Sequence, residues 1–136
     1  MNHIAPVPKS QTSRFDVLVD GRRLVEHFVG RRGAHPSLIF ALGYSSQVLS
    51  QLLGKSPSAL ESGRVPILVC EECGDIACGA LAARILRKEG SIVWSDWAQE
   101  NGYEPARAVD WPIHPNDFEF ELSDYESVLF SASRSA

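Results

Sequence analysis

The chain has 136 residues, of which 44% are hydrophobic and 22% are charged, and its net charge is −4. This length and composition fit one globular domain and exclude a disordered or fibrous protein. No apolar run reaches about 18 residues, the length that a membrane span needs, and residues 1–14 lack the apolar stretch of a signal peptide. We therefore expect a cytoplasmic protein that does not bind a membrane, and the three cysteines fit a reducing compartment.

The first predicted elements follow a tail. Residues 1–13 contain two prolines and no periodic pattern, so they are predicted to be flexible, and residues 14–136 form the single predicted domain. Alternating apolar residues predict a strand over residues 15–19. The following Asp20-Gly21 pair fits a hairpin turn, but we favour Asp20 as the N-cap of a short helix that buries Phe28.

The middle of the chain changes from helical to strand patterns. Residues 45–53 have apolar residues at helical spacing and stop at a glycine, whereas residues 37–42 form an apolar run that fits either a strand or a helix. Three strands separated by turn residues follow. They predict an antiparallel meander over residues 65–70, 77–86 and 91–97.

The last third contains a long predicted loop, a strand and a helix. Residues 98–116 hold one glycine and three prolines, which predicts a loop. Residues 118–122 alternate apolar and acidic side chains as a half-buried strand does, and Ser123-x-x-Glu126 is a capping box that predicts the start of the final helix. The predicted fold class is α+β: a mainly antiparallel sheet of about five strands with helices packed on one face.

The cysteines lie between two predicted strands, at Cys70, Cys73 and Cys78. A strand followed by C-x-x-C-G is the arrangement of a zinc knuckle, in which two thiolates point into one loop. Soft sulfur ligands favour zinc over hard cations, so zinc is the metal we expect if one binds. A structural zinc site has four ligands, so the fourth must come from another residue: Asp75, His27, His35 or His114, of which His114 in the long loop is best placed.

Two other interpretations of the cysteines stay open. The interpretation that the cysteines alone favour is that the three thiols are small buried side chains that pack a hairpin, in a protein without a cofactor. A thiol oxidoreductase is the third interpretation. It is the least favoured, because acidic neighbours at Glu71, Glu72 and Asp75 oppose formation of a reactive thiolate and no helix begins at the motif.

The same segment resembles a known family. The run VPILVCEECGDIACGALAARI, followed by VWSD, resembles small bacterial proteins that carry C-x-x-C-G-D-x-x-C-G ahead of a strand meander. Many of them also end with an aromatic strand and a helix, as residues 118–129 do here. The resemblance covers about the last half of the chain. It implies a bacterial source and a shared hairpin rather than a particular activity.

Charge is distributed unevenly along the chain. Residues 1–94 carry 11 Lys/Arg and 8 Asp/Glu, a net +3, whereas residues 95–136 carry 2 and 9, a net −7. Single-sign patches steer association with partners of opposite charge, and exposed aromatic side chains anchor such partners. The acidic aromatic segment predicts a partner-binding surface with anchors Trp97, Tyr103 and Trp111 and steering charges Asp96, Glu100, Glu104 and Asp110. The alternative interpretation is that these aromatics pack the loop and the acids are solvated.

No motif assembles a nucleophile, a base and an orienting group, and the sequence has no phosphate-binding loop and no H-E-x-x-H pair. Overall acidity argues against nucleic acid as the partner. We therefore favour a non-catalytic protein-binding module, such as an inhibitor or immunity-type protein that masks a basic partner. The alternatives are a small zinc-binding protein and a thiol oxidoreductase.

Overall fold

The computed structural model describes residues 1–7, 16–28, 38–44, 46–70, 79–101, 107–108 and 117–135. In these segments the chain is mainly strand with two α-helices, which makes it an α+β protein. No helix in them is long and apolar enough to cross a membrane. The strands are β1 (Ile4–Pro6), β2 (Val17–Val19), β3 (Arg22–Arg23), β4 (Leu38–Phe40), β5 (Val65–Cys70), β6 (Ala80–Lys88), β7 (Ser91–Glu100), β8 (Arg107–Ala108) and β9 (Phe118–Glu121). The α-helices are α1 (Ser46–Leu52) and α2 (Leu122–Ser135), and 3₁₀ helices span Leu24–Phe28 and Ala41–Tyr44.

The larger sheet has the order β4-β5-β6-β7-β8, and β9 pairs with the other half of β7. All of its strand pairs are antiparallel, so the predicted meander is confirmed, although β6 begins three residues later and β7 continues three residues further. The strand prediction for residues 118–121 is also confirmed. The prediction of a loop over residues 98–116 is wrong at its start, because β7 runs to Glu100 and pairs there with β8.

A β-bulge divides β7. The register between β6 and β7 shifts between Ala82 and Arg84, where β7 contributes one residue more than β6. Asp96 lies in this bulge with a φ of 54°. An extra residue reverses the alternation of side chains along a strand. The ring of Trp97 therefore lies on the same side as that of Trp94, with 6.0 Å between their centroids.

The N-terminal residues belong to the fold. Strand β1 pairs with β2 in a second sheet of order β1-β2-β3, and Ile4 and Val7 are buried. Asn2 then bridges to β9. Its backbone N–H donates to the backbone carbonyl of Glu119 at 2.7 Å, and its side-chain Oδ1 accepts from the backbone N–H of Glu119 at 2.9 Å. The prediction of a flexible tail is therefore wrong for residues 1–7, while residues 8–13 lie outside the described segments.

The hairpin between β2 and β3 corrects another prediction. Asp20 and Gly21 have φ of 53° and 84°, and two successive positive φ values define the tight turn that joins paired strands. Asp20 is therefore a turn residue and not the N-cap of a helix. The helix begins later, at Leu24, and it buries Phe28 as the sequence predicts.

Helix α1 agrees with its prediction within two residues, but the predicted capping box of α2 is wrong. Helix α2 begins at Leu122, one residue before the predicted cap. The Ser123 hydroxyl donates to the Glu121 carboxylate at 2.6 Å. The Glu126 carboxylate accepts from Arg87 on β6 at 3.0 Å. The Ser123 and Glu126 side chains thus bind groups other than the backbone N–H groups that a capping box satisfies.

The centre of the core is Trp94, which is fully buried. Its ring lies 4.7 Å from Phe120 and 6.0 Å from Phe40, centroid to centroid. Its Nε1 donates to the hydroxyl of Tyr125 on α2 at 3.1 Å, and that hydroxyl donates to the carbonyl of Leu52 on α1 at 2.6 Å. Burial raises the pKa of the Tyr125 phenol, so the hydroxyl stays neutral and keeps both bonds.

Candidate functional site

Of the three cysteines, Cys70 lies in a described segment and Cys73 and Cys78 lie outside one. Cys70 is the half-buried last residue of β5, opposite Leu38 of β4. Strands β5 and β6 are antiparallel neighbours, so the cysteine segment connects the ends of two adjacent strands. Within the described segments, no group of three His, Cys, Asp or Glu side chains gathers as metal ligands would.

The candidates for a fourth zinc ligand divide in the same way. The ring of His27 is already engaged: Nε2 lies 2.7 Å from the carbonyl of Val19, and the ring meets that of Phe118 edge-on at 5.5 Å. His27 is thus a half-buried side chain with packing contacts of its own rather than a ligand without a partner. The remaining candidates lie outside the described segments: His35, Asp75 and His114.

The structure does not leave Trp97 available as an anchor for a partner. Only 5% of it is exposed, and its ring packs 4.7 Å from Phe28 and 6.0 Å from Phe118. Its indole Nε1 is buried without a hydrogen-bond partner in the described part of the chain. The other predicted contact residues of this segment lie outside the described residues: Tyr103, Glu104, Asp110 and Trp111.

The two remaining steering charges are paired within the fold. The Asp96 carboxylate accepts from Arg84 Nε at 2.8 Å and from Arg64 Nη2 at 3.0 Å. Glu100 is 8% exposed, accepts from the Ser62 hydroxyl at 2.8 Å and lies 3.5 Å from Arg64 Nη1. Neither carboxylate is therefore an unpaired charge that attracts a distant partner, and the expectation for both is corrected.

The ion pairs of Asp96 with Arg64 and Arg84 also explain how Asp96 keeps its positive φ in the bulge. The hydrogen bond from Arg84, helped by that from Arg64, holds the pKa of the Asp96 carboxyl below its usual range. Arg64 Nε also donates to the Asp96 carbonyl at 2.7 Å. Positive φ is unfavourable for most residues but tolerated by Asp, and these bonds hold it there. The network therefore stabilises the junction of β5, β6 and β7.

A different set of carboxylates lies on the outward side of β9 and forms no ion pair with a described residue. Along β9 and the residue before it, Phe118 and Phe120 point into the core. The intervening side chains point outward, and we call them the acidic stripe: Asp117, Glu119 and Glu121. None of the three forms an ion pair with a described residue, in contrast to Asp96 and Glu100. Among the described residues, the stripe therefore presents three negative charges without an ion-pair partner, at the exposed Asp117 and Glu121 and the half-buried Glu119.

The stripe borders an uncovered apolar centre. Glu119 is the cross-strand partner of Val93 on β7, and Val93 is the partner of Leu86 on β6. Leu86 is 53% exposed and Val93 is half-buried. We call this surface the open face; besides the acidic stripe it comprises Arg84, Leu86, Lys88, Val93 and Ser95. An apolar centre with a charged rim is the arrangement of a protein-binding surface.

The sequence contained a signal for the stripe but none for the bulge. The alternation of Phe and Glu over residues 118–121 indicates one buried and one exposed side. The tryptophans indicate a different surface, because exposed aromatic residues dominate binding energy. The bulge at Asp96 then placed Trp97 on the buried side.

A polar cleft of about 330 Å³ lies beside the end of α1, with Ile85 and Val65 among its walls. Its cationic wall residue, Lys55, lies 3.9 Å from the Glu126 carboxylate, which also accepts from Arg87 at 3.0 Å.

Comparison with known proteins gives no further guide. No protein-family model, no curated protein and no solved structure matches the chain. Function is therefore argued from the geometry and charge of the surface itself.

Proposed function

We propose that the chain is a non-catalytic protein-binding module of the cytoplasm whose open face binds and masks a basic partner, as an inhibitor or immunity-type protein does. The observation that carries the proposal is the acidic stripe. Its three carboxylates lie on one side of a strand and have no ion-pair partner among the described residues. Unpaired surface charge of one sign raises the rate of encounter with a partner of the other sign.

The apolar centre of the open face supplies the contact area that steering alone does not. Leu86 and Val93 lie side by side, and burying an exposed leucine contributes about 1.5–3 kcal/mol. The proposal also requires the face to stay uncovered. We infer that α1 and α2 both pack on the opposite side of the sheet, because Tyr125 on α2 bonds to Leu52 on α1 and to Trp94 beneath them.

Charge reversal within the stripe tests the proposal. Proteins cross-linked to the wild-type chain in cells are identified by mass spectrometry, and the recovered partner is then titrated against purified variants. We expect a basic partner whose association rate falls about tenfold or more in Glu119→Lys, with a flatter salt dependence. Glu61→Lys, which reverses an exposed charge outside the open face, is the matched control. A partner that binds both variants as it binds the wild type overturns the proposal.

Zinc binding is the second candidate function. Strands β5 and β6 are antiparallel neighbours, so Cys70 lies at a strand end next to the start of the following strand, and a knuckle holds its metal between two such strand ends. We propose Cys70, Cys73 and Cys78 as thiolate ligands. Elemental analysis of untagged protein purified without chelator is expected to give about one zinc per chain. Cys70→Ser is expected to lose it, and a metal-free wild-type chain overturns the assignment.

A further inference from the structure

Charge of opposite sign lies on the two sides of the open face. On β6, Arg84 and Lys88 flank Leu86, and the acidic stripe lies two strands away. The register sets these residues at matching heights. Lys88 pairs with Ser91 of β7, and Ser91 pairs with Glu121 of β9. The surface is therefore positive along one edge, negative along the other and small or apolar along the central strand.

From this pattern we infer that the open face binds a second copy of the chain in a twofold-symmetric dimer. A twofold axis running along β7 places β6 of one copy over β9 of the other. Lys88 then lies opposite Glu121 of the second copy, and Arg84 lies opposite Asp117. Val93 meets its own counterpart on the axis. An interface of this kind is self-complementary, so each pair of opposite charges occurs twice.

The local chemistry allows the two faces to approach. The central strand presents Val93 and Ser95, which are small enough for the spacing of about 10 Å between packed sheets. Lys88 and Glu121 form no ion pair with a described residue of their own chain, so both are available. Arg84 already donates to Asp96, which leaves the Lys88–Glu121 contact as the main polar determinant.

The dimer is expected to be weak. Three strands about 4.8 Å apart and five residues long present a footprint on the order of 200 Å². Stable complexes bury about 800 Å² on each partner. Association is therefore concentration-dependent and salt-sensitive. The dimer covers the acidic stripe, so self-association competes with binding of the proposed partner. Self-association needs no other protein, and the inference does not rest on the proposed function.

Two single variants and their mixture test the inference. In Lys88→Glu the two copies present Glu opposite Glu, and in Glu121→Lys they present Lys opposite Lys, so each variant alone is expected to be monomeric. An equimolar mixture restores opposite charges at both contacts, and heterodimers are expected. Sedimentation velocity at low salt reports each state, with Glu61→Lys as a control that associates like the wild type.

Further measurements keep the test decisive if Glu121→Lys, whose carboxylate contacts Ser123, does not fold. Val93→Asp places two carboxylates on the axis and is expected to abolish self-association. In the wild type, about 1 M salt is expected to have the same effect, because screening then acts within about 3 Å.

Any one of three results would overturn the inference. The first is a wild-type chain that stays monomeric up to about 1 mM protein at low salt, and the second is a Val93→Asp variant that associates as the wild type does. The third is an equimolar mixture of folded Lys88→Glu and Glu121→Lys that stays monomeric. The proposed function is tested separately, since the partner is titrated at protein concentrations at which the chain is monomeric, and that result does not depend on self-association.

Discussion

Removing one buried hydroxyl tests how the helices are held on the sheet. In Tyr125→Phe, the Trp94 indole loses its acceptor at 3.1 Å and the Leu52 carbonyl loses its donor at 2.6 Å. Each of the two unsatisfied buried groups costs about 1–3 kcal/mol, so the expected loss is roughly 2–6 kcal/mol. Domains of this size have a free energy of unfolding of about 5–15 kcal/mol, so the variant is measurably weakened.

Urea unfolding followed by circular dichroism measures this loss. The midpoint is expected to fall while the slope against urea stays unchanged, because the fold itself is retained. Ser123→Ala, which removes an exposed hydroxyl at the start of the same helix, is the control and is expected to change stability by less than about 0.5 kcal/mol. A loss of that small size in Tyr125→Phe itself would refute the reasoning.

The raised pKa of Tyr125 gives the same residue a pH signature. The phenol has its ordinary pKa of 10.0 in the unfolded chain, whereas burial raises this pKa in the folded chain, so the folded phenol keeps its proton to higher pH. The contribution of the hydroxyl is therefore complete below pH 10 and is lost as the pH rises through and above that value. Relative to Tyr125→Phe, the wild type is expected to lose up to about 1.4 kcal/mol per pH unit there. A difference that stays flat from about pH 9 to 11.5 contradicts this assignment.

Three further changes probe the corrected features. Asp96→Ala is expected to lower the free energy of unfolding in urea by about 1 kcal/mol more than Asp96→Asn does, because Asn tolerates positive φ. The extra stability of Asp over Asn should disappear as the pH falls below about 4, because the folded-state pKa of Asp96 is lowered and the carboxylate is protonated there. Deleting residues 1–7 should cost roughly 3–6 kcal/mol, since Ile4 and Val7 are buried, and a loss under about 1 kcal/mol would restore the tail interpretation. Trp97→Ala should cost about 3–5 kcal/mol in thermal or urea unfolding, as a core residue does and an exposed anchor does not.

Local periodicity was sufficient to predict the elements that lie side by side in sequence. The meander from β5 to β7 consists of consecutive strands, so its pairing follows from the position of the turns. The strand over residues 118–121 was equally clear, because one of its sides is in the core and the other in solvent. For these elements the local pattern and the tertiary packing agree.

Features that depend on distant residues were not predictable in this way. Strand β1 is three residues long, ends in Pro6 and is stabilised by pairing with β2 and by the Asn2 bridge to β9. The bulge at Asp96 depends on Arg64, which precedes β5, and on Arg84 of β6. The sequence marks none of these partners locally, and a single extra residue in β7 was enough to reverse the predicted side of Trp97.

The bulge also determines which part of the acidic segment reaches the surface. It uses Asp96 and Glu100 to neutralise Arg64, so two of the nine carboxylates that give residues 95–136 their net −7 are paired there. Glu126 is paired with Arg87 on the covered side of the sheet. Glu119 and Glu121 of β9 have no such partner among the described residues, and they lie on the outward side of the strand because Phe118 and Phe120 occupy its inward positions. The uneven charge of the sequence thus becomes, in the folded chain, an acidic stripe beside Leu86 and Val93, and any partner that responds to that charge meets an apolar contact at the same place.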